Sequence, residues 1–235
     1  MKLGISSILL EQEINCPFIH DIVAKYYELT PFNSDFEMPQ LSGIIIHNDD
    51  DLENKLRTNH PHIPLIKYSD LEDSWTKETF FIQVTAYKDF NDFLPTCETI
   101  KDLVEFHKTY KYFVLAKQRD SYKELGDVLS NHTDSELDSV IEEYKSKFYQ
   151  INTSPNSFSK TYNSLESVVS YFRRTLTKPE RDVVLKVCKS FKSNEIPFIK
   201  AIKVINFYVD KHHNQYLKNQ KFLKPFPEKL ILNNL

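Results

Sequence analysis

Glycine is nearly missing from this chain. Only Gly4, Gly43 and Gly126 occur in 235 residues, where average usage of about 7% would supply roughly sixteen. No two of them lie close together. A dinucleotide fingerprint needs three glycines in one turn, and a P-loop needs two beside a Lys-Ser/Thr pair. A nucleophile elbow needs two flanking a serine. Those phosphate-cradling and hydrolase signatures are excluded, and only enzymes independent of tight glycine turns remain open.

The rest of the composition describes a chain able to bury a core. Hydrophobic residues make up 40% and charged residues 27%, with 17 Phe and 13 Tyr, too apolar for a disordered chain. No stretch approaches about eighteen uninterrupted apolar residues, so no membrane span or membrane partner is expected. The opening Met1–Leu10 meets Glu11 too soon for a signal-peptide core. Cys16, Cys97 and Cys188 form no C-x-x-C pair and no even disulfide set, which predicts a reducing, cytoplasmic setting. Net charge is −3, unevenly spread. Residues 1–100 carry 7 Lys+Arg against 17 Asp+Glu, whereas residues 171–235 carry 14 against 5. An acidic module followed by a basic one is a pattern suited to a polyanionic partner; lysines that merely solvate helix faces are the plainer alternative.

Periodicity predicts an α+β protein, with a small α/β domain over 1–95 and an all-helical bundle over 96–235. Leu3–Leu10 is an apolar run suited to a buried strand, and Phe18–Leu29 has helical spacing through Phe18, Ile22, Ala24 and Tyr26. Gly43–His47 is a β-branched strand candidate. Asp49–Glu53 reads as an acidic helix start, and Asn59–Pro64, with two prolines, as a loop. Trp75–Phe93 has helical spacing. Beyond Pro95, Leu103, Val104, Phe106, Tyr110, Phe113, Val114 and Ala116 mark one long amphipathic helix. Thr133–Glu136 and Thr177–Glu180 fit capping boxes, and Asn152–Ser157 is a loop.

Chemistry-bearing candidates are few. His107 and Lys111, one helical turn apart, place an imidazole and an ammonium on one face, an arrangement that would suit an anion between them. Tyr171-Phe172-Arg173-Arg174 joins stacking rings to guanidinium groups that grip phosphates. Tyr112, Gln220 and Lys224 complete the candidate nucleic-acid contacts. His60/His62 and His212-His213 have no metal-binding spacing, and no Ser-His-Asp set is identifiable from spacing.

Leu103–His107, Lys111-Tyr112, Tyr122 and Leu125-Gly126 resemble the signature of the bacterial YbgA family. Asn163, Leu165, Tyr171–Arg173, Ile196-Pro197, Tyr216-Leu217, Gln220 and Leu223–Pro227 continue that resemblance in order. Leu3–Ser7 with Leu9-Leu10, Phe18–Asp21 with Tyr27, Leu41–Ile45, His62–Leu65 and Phe80-Phe81 through Tyr87 give residues 1–95 a fainter resemblance to the domain that precedes YbgA modules in two-domain relatives. That domain is similar to thiouracil desulfidases, and those relatives include tRNA 4-thiouridine desulfidases. The resemblance implies a four-iron, four-sulfur cluster held by three cysteines. At the matching places this chain has Ile8, Asn33 and the run Asn48–Leu52, with Asp35 in place of a glutamate, and Cys16 is no substitute for the first ligand. Ile8, Asn33 and the run Asn48–Leu52 supply no thiolate, and Cys16 lies eight residues from the first site, so no cluster and no other cofactor are expected. Family histidines near 117, 167 and 207 are Lys117, Ser167 and Phe207, and a late arginine is Asn233. The resemblance implies that the second module holds tRNA.

The expected function is therefore binding of structured RNA, tRNA above all, by a relative of the desulfidases that has no cluster site. An alternative is a cluster-independent enzyme acting on a modified nucleobase or nucleotide, with His107 and Lys111 as acid/base and phosphate-holding groups. A third reading is a protein-interaction module whose acidic first part meets a basic partner.

Overall fold

A computed structural model describes residues 1–11, 23, 27–32, 41–130 and 132–226. The described chain divides into two compact units, one of Met1–Pro95 with Phe226, the other of Thr96–Pro225. The architecture is α+β.

The first unit is built on a parallel sheet of β1 (Lys2–Ser6), β2 (Glu28–Phe32), β3 (Gly43–Ile46) and β4 (Leu65–Lys67), in the order β2-β1-β3-β4. The central strands are continuous apolar runs because helices cover a parallel sheet on both faces. Leu3, Ile5, Ile44, Ile45 and Ile46 are all buried. One face is covered by α2 (Asp50–Asn59), whose Leu52 and Leu56 join Phe32, Ile44, Ile46 and Leu65. The other is covered by α3 (Ser74–Phe93). Gly43 is where α3 comes closest: a Cβ there would lie 2.5 Å from Val84 Cγ2 and 3.1 Å from Leu3 Cδ2. Its role is close approach, not turning.

Three expectations change here. The strand predicted over Leu3–Leu10 ends at Ser6, and Ser7–Glu11 is the short helix α1, because the ladder to β2 stops at the Ser6–Phe32 pair. Glu28 and Leu29, expected at the end of a helix, open β2 instead. That strand carries Pro31, tolerated because β2 is an edge. Phe18, Ile22, Ala24 and Tyr26 of the same expected helix lie outside the described residues, as do Cys16, Asn33, Asp35 and Asn233. The strand expected over Gly43–His47 forms as far as Ile46, and the acidic start of α2 and the helix over 75–93 form.

The second unit is helical: α4 (Ile100–Thr109), α5 (Lys111–Lys117), α6 (Arg119–Val128), α7 (Leu137–Thr153), α8 (Phe158–Phe172), α9 (Lys178–Lys192), α10 (Phe198–Lys211) and α11 (Gln215–Lys218). Both expected capping boxes are present, at Thr133–Glu136 and Thr177–Glu180, and a third joins Thr99 to Asp102. The single helix predicted over 103–116 is broken at Tyr110, whose ψ of 4° interrupts it. Tyr110 is only 1% exposed. Its ring stacks on Phe106 at 4.6 Å and meets Phe113 and Phe148 edge-on at 5.4 and 5.3 Å, so tertiary packing overrides helix propagation.

With so few glycines, two helices end on other residues. Asn194 and His213 adopt left-handed backbone, φ 58° and 52°. Each anchors a Schellman motif: Glu195 N donates to Ser190 O and Asn194 N to Phe191 O, while Asn214 N donates to Val209 O and His213 N to Asp210 O. Among the described helices none is long and apolar enough to cross a membrane.

Two substitutions should move stability in opposite directions in urea unfolding. Gly43→Ala forces a methyl group against the stiff Val84 side chain and should cost about 1–3 kcal/mol. His213→Gly relieves left-handed strain and should add roughly 0.5–1 kcal/mol.

Candidate functional site

The aromatic core of the helical unit becomes polar at one edge, and the candidate residues gather there. His107, near the end of α4, is 6% exposed. Its Nδ1 lies 3.2 Å from the Tyr144 hydroxyl, and its ring stacks on Tyr122 of α6 at 4.2 Å and 11°. Burial pushes its pKa down to about 4, so the imidazole is neutral at pH 7. Since the helix breaks at Tyr110, His107 and Lys111 do not share a continuous helical face. Tyr122 joins them: it stacks on His107, and Lys111 Nζ lies 5.9 Å from its ring centroid.

Lys111 also lies over Tyr112, at 5.6 Å. Tyr112 in turn meets Tyr216 of α11 edge-on at 6.5 Å, and Tyr216 packs against Tyr171 of α8 at 4.8 Å. Tyr171 is 56% exposed. Burial raises the pKa of Tyr112, Tyr122 and Tyr216, which keeps these phenols neutral. Four helices thus deliver four tyrosines and a lysine to one place. Arg173 and Arg174 follow Tyr171 at the end of α8, both exposed, with Phe172 buried between the exposed groups. Lys224 is also exposed, just beyond the turn Lys221–Leu223, whose Phe222 ring lies 6.4 Å from Tyr112.

Gln220 belongs to a different part of the design. It is 2% exposed, and its Nε2 donates to Lys108 O at 3.0 Å. It ties the tail to a carbonyl in the last turn of α4 rather than facing solvent. Lys117, which the sequence showed only as a departure from a family histidine, does the same for α7. Its buried Nζ donates to Asn152 O and Ser154 O, each at 2.8 Å, and burial lowers its pKa to about 7. Beside it, a cleft of about 270 Å³ is lined by Leu115, Arg119, Lys160, Asn163, Ser164 and Ser167.

The first unit has its own cavity, about 410 Å³, at the C-terminal ends of the strands. It is lined by Ser6, Ile8, Phe32, His47, Asp49, Asp51, Leu52 and Lys55. Open parallel sheets bind ligands at this end. Ile8, 40% exposed, and the run Asn48–Leu52 stand at the places where a desulfidase-like domain would carry cluster cysteines. Hydrocarbon and carboxylate side chains are not the thiolate set such a cluster requires, so the described residues do not fit that group. Among the described residues no group of His, Cys, Asp and Glu is placed to hold a metal ion. Neither cavity is lined by His107 or Lys111.

The buried imidazole makes stability depend on pH. The folded state resists protonating His107 until about pH 4, whereas the unfolded chain protonates near 6.5. Stability is therefore full above pH 6.5 and falls as pH drops toward 4, by about 3 kcal/mol from this group. Chemical denaturation across pH 4–7 should show this loss in the wild type and lose that component in His107→Gln.

Comparison with known proteins agrees with the helical unit. Residues 111–227 match a family described as a protein of unknown function, DUF1722. The chain is also 23% identical over 133 residues to the uncharacterized protein YbgA of Escherichia coli (strain K12), covering 56% of this chain and 79% of that protein. No solved structure matches. By these matches the helical part of the chain is similar to a YbgA-like domain of unknown function.

Proposed function

We propose that this chain binds structured RNA, tRNA in particular, through the tyrosine–lysine patch of its YbgA-like unit, and that it does not perform cluster-dependent desulfuration. One observation carries the reading. Lys111, Tyr122, Tyr171 and Tyr216, scattered through the sequence, converge around Tyr112, which is 4% exposed and supports the patch from within rather than facing solvent, into one aromatic and cationic surface with Tyr171 open to solvent. An exposed tyrosine held by neighbouring rings offers a rigid face on which an unpaired base stacks. Arg173 and Arg174 add planar donors for phosphate oxygens, and the +9 balance of residues 171–235 attracts a polyanion. The missing thiolates around Ile8 support the second half of the proposal. His107, stacked, hydrogen-bonded and neutral, supports the patch from beneath, which speaks against its use as an exchangeable acid/base.

Filter binding of the full chain to tRNA across 50–200 mM salt tests this. Affinity should fall steeply with salt. Tyr171→Ala should weaken binding about tenfold with the salt slope retained, while Arg173→Ala should lower the slope by about one. Binding at low salt no tighter than that of a neutral control protein would overturn the proposal.

A further inference from the structure

In the cavity of the first unit Ser6 meets His47 and Asp49, two side chains from a segment about forty residues further along the chain. Ser6 is the last residue of β1, His47 follows β3 directly, and Asp49 caps the N-terminus of α2. Ser6 Oγ lies 2.9 Å from His47 Nδ1, and His47 Nε2 lies 3.3 Å from Asp49 Oδ2. The other carboxylate oxygen, Oδ1, accepts from Leu52 N at 2.9 Å, which fixes the carboxylate. Asp49 favours the imidazole tautomer with its proton on Nε2, and that tautomer turns the Nδ1 lone pair toward the serine hydroxyl. A hydroxyl bonded to an imidazole that is oriented by a carboxylate is the arrangement of an activated nucleophile.

Position and space agree with that chemistry. β1 and β3 are neighbours, while the chain leaves β1 for β2 on its opposite side. The cavity therefore lies at the point where strand order reverses, where open parallel sheets place ligands. Its volume of about 410 Å³ accommodates a small molecule. Ile8, Phe32 and Leu52 give it an apolar wall suited to an uncharged acyl group, and its charged lining, Asp49 and Asp51 against Lys55, carries no excess of positive charge to draw in an anion.

We propose that Ser6 is a catalytic nucleophile activated by His47 and oriented by Asp49, and that this cavity hydrolyses small uncharged esters with an apolar acyl group. Ser6 Oγ adds to the ester carbonyl carbon as its proton passes to His47 Nδ1. The carbon–oxygen bond to the alcohol breaks, and the departing oxygen takes that proton. Water then adds to the acyl-serine and gives a proton to Nδ1. Ser6 Oγ leaves with it, and the carboxylic acid is released. Nothing is oxidised or reduced. These residues lie in a different unit from the proposed RNA surface, so the two proposals stand or fall separately.

The test is labelling of the full chain by a fluorophosphonate, with the modified residue located by peptide mass spectrometry, alongside hydrolysis of p-nitrophenyl butyrate. Ser6 should be phosphonylated in folded protein and not after heat unfolding. Ester hydrolysis should vanish in Ser6→Ala. Asp49→Asn keeps an equally good helix cap but removes the carboxylate charge, and should slow labelling at least tenfold. No label on Ser6 of the folded chain, or labelling at an unchanged rate in Asp49→Asn, would overturn the proposal.

Discussion

The helical unit depends on how its helix ends are closed. Every α-helix leaves its last carbonyls without intrahelical donors, and a chain with three glycines cannot close many ends with the usual left-handed glycine. Two ends accept left-handed backbone at Asn194 and His213. Others take donors from distant side chains. Lys117 closes α7, Lys160 Nζ reaches Lys117 O at the end of α5, and Gln220 reaches back across 112 residues to Lys108. Each such donor is also a tertiary tether, so closing the helices and assembling the bundle become one event.

Those tethers place the tyrosine patch. Gln220 fixes the segment that includes Tyr216 and Phe222 against the end of α4, beside the break at Tyr110 that starts α5. Lys111 and Tyr112 begin α5 directly after the break, where their rings and ammonium meet Tyr122 and Tyr216. Had the helix continued unbroken, Lys111 would follow His107 along one face. The buried rings of Tyr110, Phe106 and Phe148 are thus the reason that the surface tyrosines converge.

Much of this was legible in the sequence where local chemistry decides. The capping boxes at Thr133 and Thr177 and the apolar β3 segment follow from side-chain chemistry and periodicity alone, as does the acidic start of α2. β2 and β4 were not legible, because short edge strands, one with a proline, show no alternation. The break at Tyr110 was hidden too, since only the packed core reveals that a favourable helical pattern yields to aromatic contacts. Of the candidate contacts, Lys111, Tyr112 and Tyr171 come together in space. Gln220 is turned inward by a carbonyl that no sequence pattern marks. The Ser6–His47–Asp49 set was invisible for a similar reason: strands that are adjacent in the sheet lie about forty residues apart in the chain.

The most direct measurement is ultraviolet cross-linking of the full chain to tRNA at low salt, with the attached residues mapped by mass spectrometry. Adducts should form at Tyr171 or Tyr216 and be suppressed by raised salt. Adducts confined to residues 1–95, or to helix faces away from the tyrosine patch, would contradict it.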